Sequence, residues 1–295
     1  MKEGIELSEL TNAVIGTTTG KQTFEYTWRD MVLYALGVGA KEDEMEYLYE
    51  KKLKAIPSFG VVPYWGTFGI TPYRDIPQNA VRCLNLDLKG SLHMTHEILI
   101  HKPINPMGDK LTFEDVVANV YDRNGKGSVV RTELTAYDQT GDKVFTNIGD
   151  IYCKLYNAPA CESYPKNEVI FPDRDPDCVE KDFVPNTQSF LYRLSGDTNR
   201  THVDLEYAAS LGFEKQIMQG LCTFGYACRM SIKQLFPKEP ERMKRFGVQI
   251  RNILYPGTAI EVQLWRVGEN KAYFRLMNLS TGKPALDKGF IEFNS

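Results

Sequence analysis

Gly220-Leu221-Cys222-Thr223-Phe224-Gly225-Tyr226-Ala227-Cys228-Arg229-Met230-Ser231-Ile232-Lys233-Gln234-Leu235-Phe236 is the stretch from which the fold can be read. Leu221, Phe224, Cys228, Ile232 and Leu235 recur at three- and four-residue steps, which lines one face of a helix with apolar side chains. Four extended segments follow. Phe246, Val248, Ile250 and Leu254 alternate along the first, which ends at Tyr255-Pro256-Gly257. Ile260, Val262 and Leu264 alternate along the second, and residues 271–279 and 285–293 form the last two, separated by Ser280-Thr281-Gly282-Lys283-Pro284. One long helix followed by antiparallel strands predicts an α+β layout, a sheet wrapped around a central helix.

Upstream of this helix, Phe190–Leu194 reads as a short strand broken by Ser195-Gly196-Asp197. Residues 204–211 read as a short helix with Asp204 as N-cap and Gly212 as its stop. The first half repeats the pattern. Residues 24–26 are extended, and Thr27 and Asp30 form a capping box before the helix 31–36. Leu92, Met94, His96, Ile98 and Ile100 alternate, and strands are predicted over 110–121, 128–137 and 143–155. Strand, helix, connection and four strands occurring twice imply a duplicated unit. The halves span residues 1–155 and 187–295, joined by a Pro-, Asp- and Glu-rich linker over 156–186. They differ at residues 57–77. Pro57, Pro63, Pro72 and Pro77, with Gly60, Gly66 and Gly69, exclude a continuous helix there. Phe59, Val61, Val62, Tyr64, Trp65 and Phe68 then either pack as an irregular loop or line a pocket for a long acyl chain.

Composition narrows the function classes. A formal net charge of −3 over 295 residues offers no electrostatic footprint for nucleic acid. No apolar run approaches a membrane span, and residues 1–12 are too polar and acidic for a signal peptide. Cys83, Cys153, Cys161, Cys178, Cys222 and Cys228 form no C-x-x-C pair and read as reduced thiols of an intracellular protein. His93 and His96, three apart on a strand, should face opposite sides, which argues against a zinc site. The terminal Glu292-Phe293-Asn294-Ser295 carries no peroxisomal or retention tripeptide.

The chemistry concentrates in Tyr192-Arg193-Leu194-Ser195-Gly196-Asp197-Thr198-Asn199-Arg200-Thr201-His202, where a carboxylate, an amide and an imidazole fall within six residues on a Gly-containing break. Alone, this is the composition of many turns. Gln219-Gly220-Leu221 adds a glycine at the positive end of the long helix, where a ligand can approach a free backbone N–H. Acid–base groups beside an anion-stabilising helix N-terminus suit an enolate-forming reaction on a thioester.

These residues carry a resemblance. The string from Tyr192 to His202, followed by Val203-Asp204, Ala208, Gly212-Phe213 and Gly220-Leu221-Cys222-Thr223-Phe224-Gly225, resembles the motif of hydratase 2. That family comprises the MaoC-like (R)-specific enoyl-CoA hydratases, including the hydratase part of peroxisomal multifunctional enzyme type 2. Residues 24–40, Ile56-Pro57-Ser58-Phe59-Gly60-Val61, Lys102-Pro103 and Tyr255-Pro256-Gly257 extend the likeness over nearly the whole chain. The resemblance implies a double hotdog, each half an antiparallel sheet around a helix, with the N-terminal helix degenerate and its half binding the acyl chain. It implies a catalytic pair at Asp197 and His202, an oxyanion donor at the amide of Gly220 and a supporting amide at Asn199. Acyl-CoA contacts are implied at His93, Met94, Arg123 and Ile250, and at Thr198, Arg200 and Thr201 within the motif. The chain departs from the family at Arg200-Thr201, where a proline and an aliphatic residue are usual. It departs again at Gln219 and Gln216, where His and Pro are usual.

The implied reaction is reversible hydration of a trans-2-enoyl-CoA to a (3R)-3-hydroxyacyl-CoA in fatty acid β-oxidation, a lyase needing no metal or redox cofactor. The implied partner is the acyl-CoA substrate, with neither nucleic acid nor membrane. The working unit is a monomer of two hotdog halves or a homodimer, peroxisomal if eukaryotic and otherwise cytoplasmic. An acyl-carrier-protein dehydratase and an inactive acyl-CoA-binding module stand as the alternatives.

Overall fold

The computed structural model describes residues 8–65, 80–81, 84–86 and 91–295. Ten strands form one continuous antiparallel path. They are β1 (Gln22–Thr27), β2 (Leu92–Ile100), β3 (Gly108–Asp122), β4 (Ser128–Tyr137), β5 (Lys143–Cys153), β6 (Cys178–Val184), β7 (Met243–Ile250), β8 (Thr258–Gly268), β9 (Lys271–Asn278) and β10 (Lys283–Phe293). Their spatial order is β1-β3-β4-β5-β2-β7-β10-β9-β8-β6. Each half has the same order: edge strand, second, third and fourth hairpin strands, then the first of the four. The halves meet where β2 pairs antiparallel with β7, His96 opposite Val248 and Ile98 opposite Phe246. The duplication predicted from the strand pattern is present as strand order.

The described residues also form five α-helices: α1 (Trp28–Gly37), α2 (Val62–Trp65), α3 (Gln188–Tyr192), α4 (Leu205–Ser210) and α5 (Gly220–Leu235). The capping box Thr27/Asp30 starts α1, with Asp30 Oδ2 accepting from the Thr27 amide at 2.8 Å. Thirteen of the sixteen residues of α5 are buried, so it is the central helix around which the second half-sheet closes. One apolar cluster spans both halves and includes Phe24, Phe59, Phe145, Phe224, Phe246 and Phe274.

Three expectations change. Phe190–Leu194 is helical, split between α3 and a 3-10 turn (Arg193–Ser195). Three alternating apolar residues are too few to fix a period, and here Tyr192 is buried while Phe190 and Leu194 face outward. The structural counterpart of β1 is β6, which lies in the segment read as linker and pairs with β8, Val184 opposite Thr258. His93 and His96 also share a face, with ring centroids 5.2 Å apart. The β2–β5 register shifts between His93 and Thr95, and the bulge turns His93 toward its neighbour.

Residues 57–65 form a 3-10 turn (Pro57–Val61) and the single turn α2. Pro63 is tolerated because it falls in the first turn, where its missing N–H costs no helical bond. Phe59, Val61 and Tyr64 are buried against the sheet as packing. Residues 66–79, including Phe68, Pro72 and Pro77, and the Trp65 side chain lie outside the described residues, and with them most of the acyl pocket expected there.

The inner face of the first half-sheet has a polar belt. Asp115, Leu134, Asn147 and Ile98 stand opposite one another across β3, β4, β5 and β2, and Val117, Thr132, Gly149 and His96 form the next row. The Tyr64 hydroxyl meets Thr132 Oγ1 at 2.7 Å. A Cβ at Gly149 would fall 1.9 Å from that hydroxyl, so only glycine fits. Beyond the belt lies a second apolar cluster with Val120, Val130 and Ile151.

The core also holds a charge. Arg229 of α5 is 1% exposed and donates to the Val38 carbonyl at 2.9 Å, to Glu44 at 2.5 Å and to Asp182 of β6. Arg229→Met strands both acids, and breaking a buried pair by removing one partner typically costs about 3–5 kcal/mol. Urea unfolding should show a loss of that order. Lys41→Met, which removes only the partly exposed Lys41 contact to Asp182 at 2.6 Å, should cost under about 1 kcal/mol.

A second prediction concerns pH. Burial pushes the Asp115 carboxyl up to about 7 from its ordinary 3.8. Folding then favours the protonated form, so stability is retained below the unfolded value and lost as pH rises through the folded one. Asp115→Asn should therefore gain unfolding midpoint relative to the parent between about pH 4 and about pH 7, with no further gain above that. Parallel pH profiles for the two proteins would refute the assignment.

Candidate active site

Helix α3 and the following 3-10 turn deliver the chain to Gly196, whose φ of +118° lies in the left-handed region that glycine adopts freely. The reversal sets Asp197 at the start of a short loop. Asn199 then N-caps the turn Arg200–His202, its Oδ1 accepting from the Thr201 amide at 3.1 Å and the Thr201 hydroxyl at 3.0 Å. That turn carries His202 inward.

His202 is 8% exposed. Its Nδ1 lies 2.9 Å from the Ile217 carbonyl, which can only accept, so Nδ1 carries the proton and Nε2 is left as the basic nitrogen. Nε2 faces Asp197 Oδ2 at 3.9 Å, while Asp197 Oδ1 accepts from the Asn199 amide at 3.3 Å. Two acceptors face each other across a gap too wide for a direct hydrogen bond.

Gly220 opens α5, and the side chain of Gln219 does not cap the helix, so the first-turn amides are uncapped on that side. A Cβ at Gly220 would stand 3.2 Å from Ile250 Cδ1, which brings the expected contact residue Ile250 against the expected oxyanion glycine. Ile250 follows Gln249, opposite Thr95, so the β2 segment with His93 and Met94 adjoins it. Arg123 lies against Met94 Sδ at 3.5 Å and over the Tyr152 ring at 5.3 Å.

Among the motif residues, Thr201 is buried and Thr198 and Arg200 are exposed. Arg200 is occupied locally, paired with Asp204 at 2.6 Å and stacked on Tyr207 at 4.7 Å. This clamp braces the turn where the family has proline. Gln219 is fully buried and donates Nε2 to the Ser189 carbonyl at 3.1 Å, tying the start of α5 to α3. Gln216 donates to the Val203 carbonyl at 3.3 Å.

Several contacts that matter to this geometry gave no sign in the sequence. Gln188 donates Nε2 to the Leu36 and Gly37 carbonyls at 2.9 and 2.6 Å, closing the end of α1 onto the start of the catalytic segment. The Cys222 thiol points at the same Gly37 carbonyl at 3.3 Å. Phe190, Lys215 and Gln216 line a cleft that reaches His202. Each depends on residues far away in sequence. Among the described residues no cluster of His, Cys, Asp or Glu suits a metal ion. Cys153, Cys161, Cys178, Cys222 and Cys228 are free thiols.

Comparison with known proteins bears on the family and the fold. Residues 24–154 match the family described as MFE-2 hydratase 2 N-terminal domain, and residues 168–288 match the MaoC like domain. The chain is 27% identical to peroxisomal multifunctional enzyme type 2 of Mus musculus over 309 residues. That match covers 98% of this chain and 41% of the mouse protein, so the chain spans less than half of that relative's length. It is 29% identical to enoyl-CoA hydratase ChsH3 of Mycobacterium tuberculosis, covering 87% of this chain and 89% of that one. A crystal structure of a MaoC-like dehydratase from Phytophthora capsici superposes with a TM-score of 0.86 at 27% identity, covering 96% of both chains. A Mycobacterium tuberculosis protein described as a double hotdog fold superposes with a TM-score of 0.53 at 12% identity, covering 92% of this chain and 94% of that one. With two family matches in tandem on a duplicated hotdog sheet, the chain belongs to the MaoC-like hydratase 2 family.

Proposed function

We propose that this chain is an (R)-specific 2-enoyl-CoA hydratase, a hydro-lyase that adds water reversibly across the double bond of a trans-2-enoyl-CoA. The observation that carries the reading is the gap between His202 Nε2 and Asp197 Oδ2, 3.9 Å across with an acceptor on each side. A water molecule, with two protons to donate, fits between two acceptors.

In the hydration direction, the Gly220 amide at the positive end of α5 takes the thioester oxygen and draws electrons from C3. Oxygen of the held water bonds to C3 while His202 Nε2 accepts one of its protons. Asp197 orients the water through the other proton and stabilises the imidazolium. The proton on His202 is returned to C2 from the same face as the enolate collapses. Nothing is oxidised or reduced, and every proton moves between groups of this chain and water, so the reaction calls for no redox cofactor or metal. The supporting parts are Asn199, which shapes the turn, and Ile250, which abuts the oxyanion glycine. Thr198 and Thr201, with Arg200 at the rim, flank the pair, and His93, Met94 and Arg123 line the adjoining strand where the CoA thioester would be met.

No helix among the described residues is long and apolar enough to cross a membrane. If the chain is eukaryotic, the mouse relative's name supports a peroxisomal setting. Both halves are supplied by one chain, so the monomer carries a complete site, and a homodimer would repeat it.

Wild-type protein should consume the enoyl absorbance of crotonyl-CoA. Asp197→Asn and His202→Gln should each lower kcat by about 10²–10⁴-fold with the circular dichroism spectrum unchanged. Near-normal turnover in either variant rules out the pair. Turnover of a carrier-protein thioester alone, or of neither thioester, would instead mark a dehydratase or an inactive binding module.

A further inference from the structure

The polar belt of the first half-sheet contains a buried acceptor that no group among the described residues satisfies. His96 is fully buried, edge-on to Phe224 of α5 with ring centroids 5.2 Å apart and to Tyr64 at 4.8 Å. Its Nε2 lies 3.0 Å from Oδ1 of Asn147, and the Asn147 amide is oriented because Nδ2 donates to the Gly60 carbonyl at 2.8 Å. Oδ1 therefore accepts, and Nε2 carries the proton. Burial first, and the neighbouring His93 ring second, hold the His96 pKa well below its ordinary value, so the ring is neutral. Nδ1 is left as a bare lone pair, buried and without a hydrogen-bond partner. In the adjacent row Asp115 Oδ1 is likewise buried and unpaired. Unsatisfied buried polar atoms are uncommon in native proteins because each gives up its hydration for nothing.

The belt lies within reach of the candidate active site. Phe224 is one helical turn beyond Gly220, about 6 Å along the axis. His96 is paired with Val248 on β7, the strand that ends at Ile250 against Gly220. An acyl chain with its thioester at Gly220 would meet His96 by following the seam between α5 and β2, where Phe224 lies against the His96 ring.

We propose that His96 Nδ1 is a specificity determinant that accepts a hydrogen bond from a hydroxyl group on the substrate's acyl chain. The preferred substrate is then a hydroxylated medium-chain enoyl thioester. This rests on the hydratase reading above and names the substrate class of that same site. The donor requirement is chemical. A methylene leaves Nδ1 unpaired, and a keto oxygen sets acceptor against acceptor, whereas a hydroxyl donates.

The test is a series of trans-2-enoyl-CoAs of one medium length: unsubstituted, hydroxylated at successive carbons toward the tail, and bearing a keto group at the same carbons. In wild type at least one hydroxylated member should exceed the unsubstituted one in kcat/KM by about tenfold or more, with no gain for its keto counterpart. His96→Phe keeps the ring and removes the acceptor, and it should bring the hydroxyl-to-unsubstituted ratio close to one. If that variant does not fold, a His96→Phe/Asn147→Leu double variant, which removes the stranded Asn147 Oδ1 and gives up the donor to the Gly60 carbonyl, carries the comparison, and the wild-type series decides by itself whether a hydroxyl is preferred. A flat wild-type series with normal crotonyl-CoA turnover overturns this inference and leaves the hydratase standing. Absence of turnover on every member, crotonyl-CoA included, overturns both. A hydroxyl preference that survives the loss of the imidazole overturns His96 as the acceptor.

Discussion

Arg229 brings a full positive charge into the middle of the core, and the chain is arranged to meet it. The guanidinium leaves α5 and finds Glu44 and the Val38 carbonyl in the first half and Asp182 on β6 in the second. Desolvating such a group is costly unless all of its donors are used in good geometry. The three partners come from separate stretches, so the charge is satisfied only when α1, the loop after it, β6 and α5 are all in place. A hydrophobic residue of similar size would ask for no such agreement. The ion cluster thus makes the position of α5 against the first half specific, and the position of α5 is what aims the Gly220 amide.

The end of α1 is the other half of that arrangement. A helix C-terminus exposes carbonyls with no partner of their own. Here the Leu36, Gly37 and Val38 carbonyls are taken by Gln188, Cys222 and Arg229, all from the second half. Gln188 begins the segment that leads to Asp197, and Gln219, the residue before Gly220, is bonded to the Ser189 carbonyl beside it. The loop carrying Asp197 and His202 and the helix opened by Gly220 are therefore referred to one anchor, the end of a helix from the opposite half. Gln219 makes this tie, and the Arg200–Asp204 pair braces the turn that carries His202. Asp197 and His202 are left facing each other across a gap that can hold one water.

The two half-sheets have the same strand order yet enclose different interiors. The second closes around sixteen residues of α5, almost all buried. Among the described residues the first holds the short turns of residues 57–65, and its inner wall carries Asp115, Thr132, Asn147 and His96 in place of a fully apolar lining. A wall facing short turns has room for polar side chains that a wall packed on a long apolar helix does not.

Much was legible from residues in order. The periodicity of Leu221, Phe224, Cys228, Ile232 and Leu235, the extended patterns behind nine of the ten strands and the Thr27/Asp30 box are local patterns that act within one or two turns of chain. The duplication and the motif from Asp197 to His202 are likewise local strings. Tertiary structure alone decided the rest. Phe190–Leu194 became helical because Tyr192 packs on Gly37 and Gln188 closes α1, contacts that span about 150 residues of sequence. β6 was hidden in a polar linker because its pairing with β8 supplies the hydrogen bonds that its composition does not advertise. His93 and His96 came to one face through a bulge that no spacing rule foretells. The Ile217 carbonyl fixes the His202 tautomer, and the Asn147 amide fixes that of His96. Periodicity reports which face of an element is apolar. Which distant donor meets which acceptor is settled only when the whole chain has folded, because an unpaired polar group is costly only once it is buried.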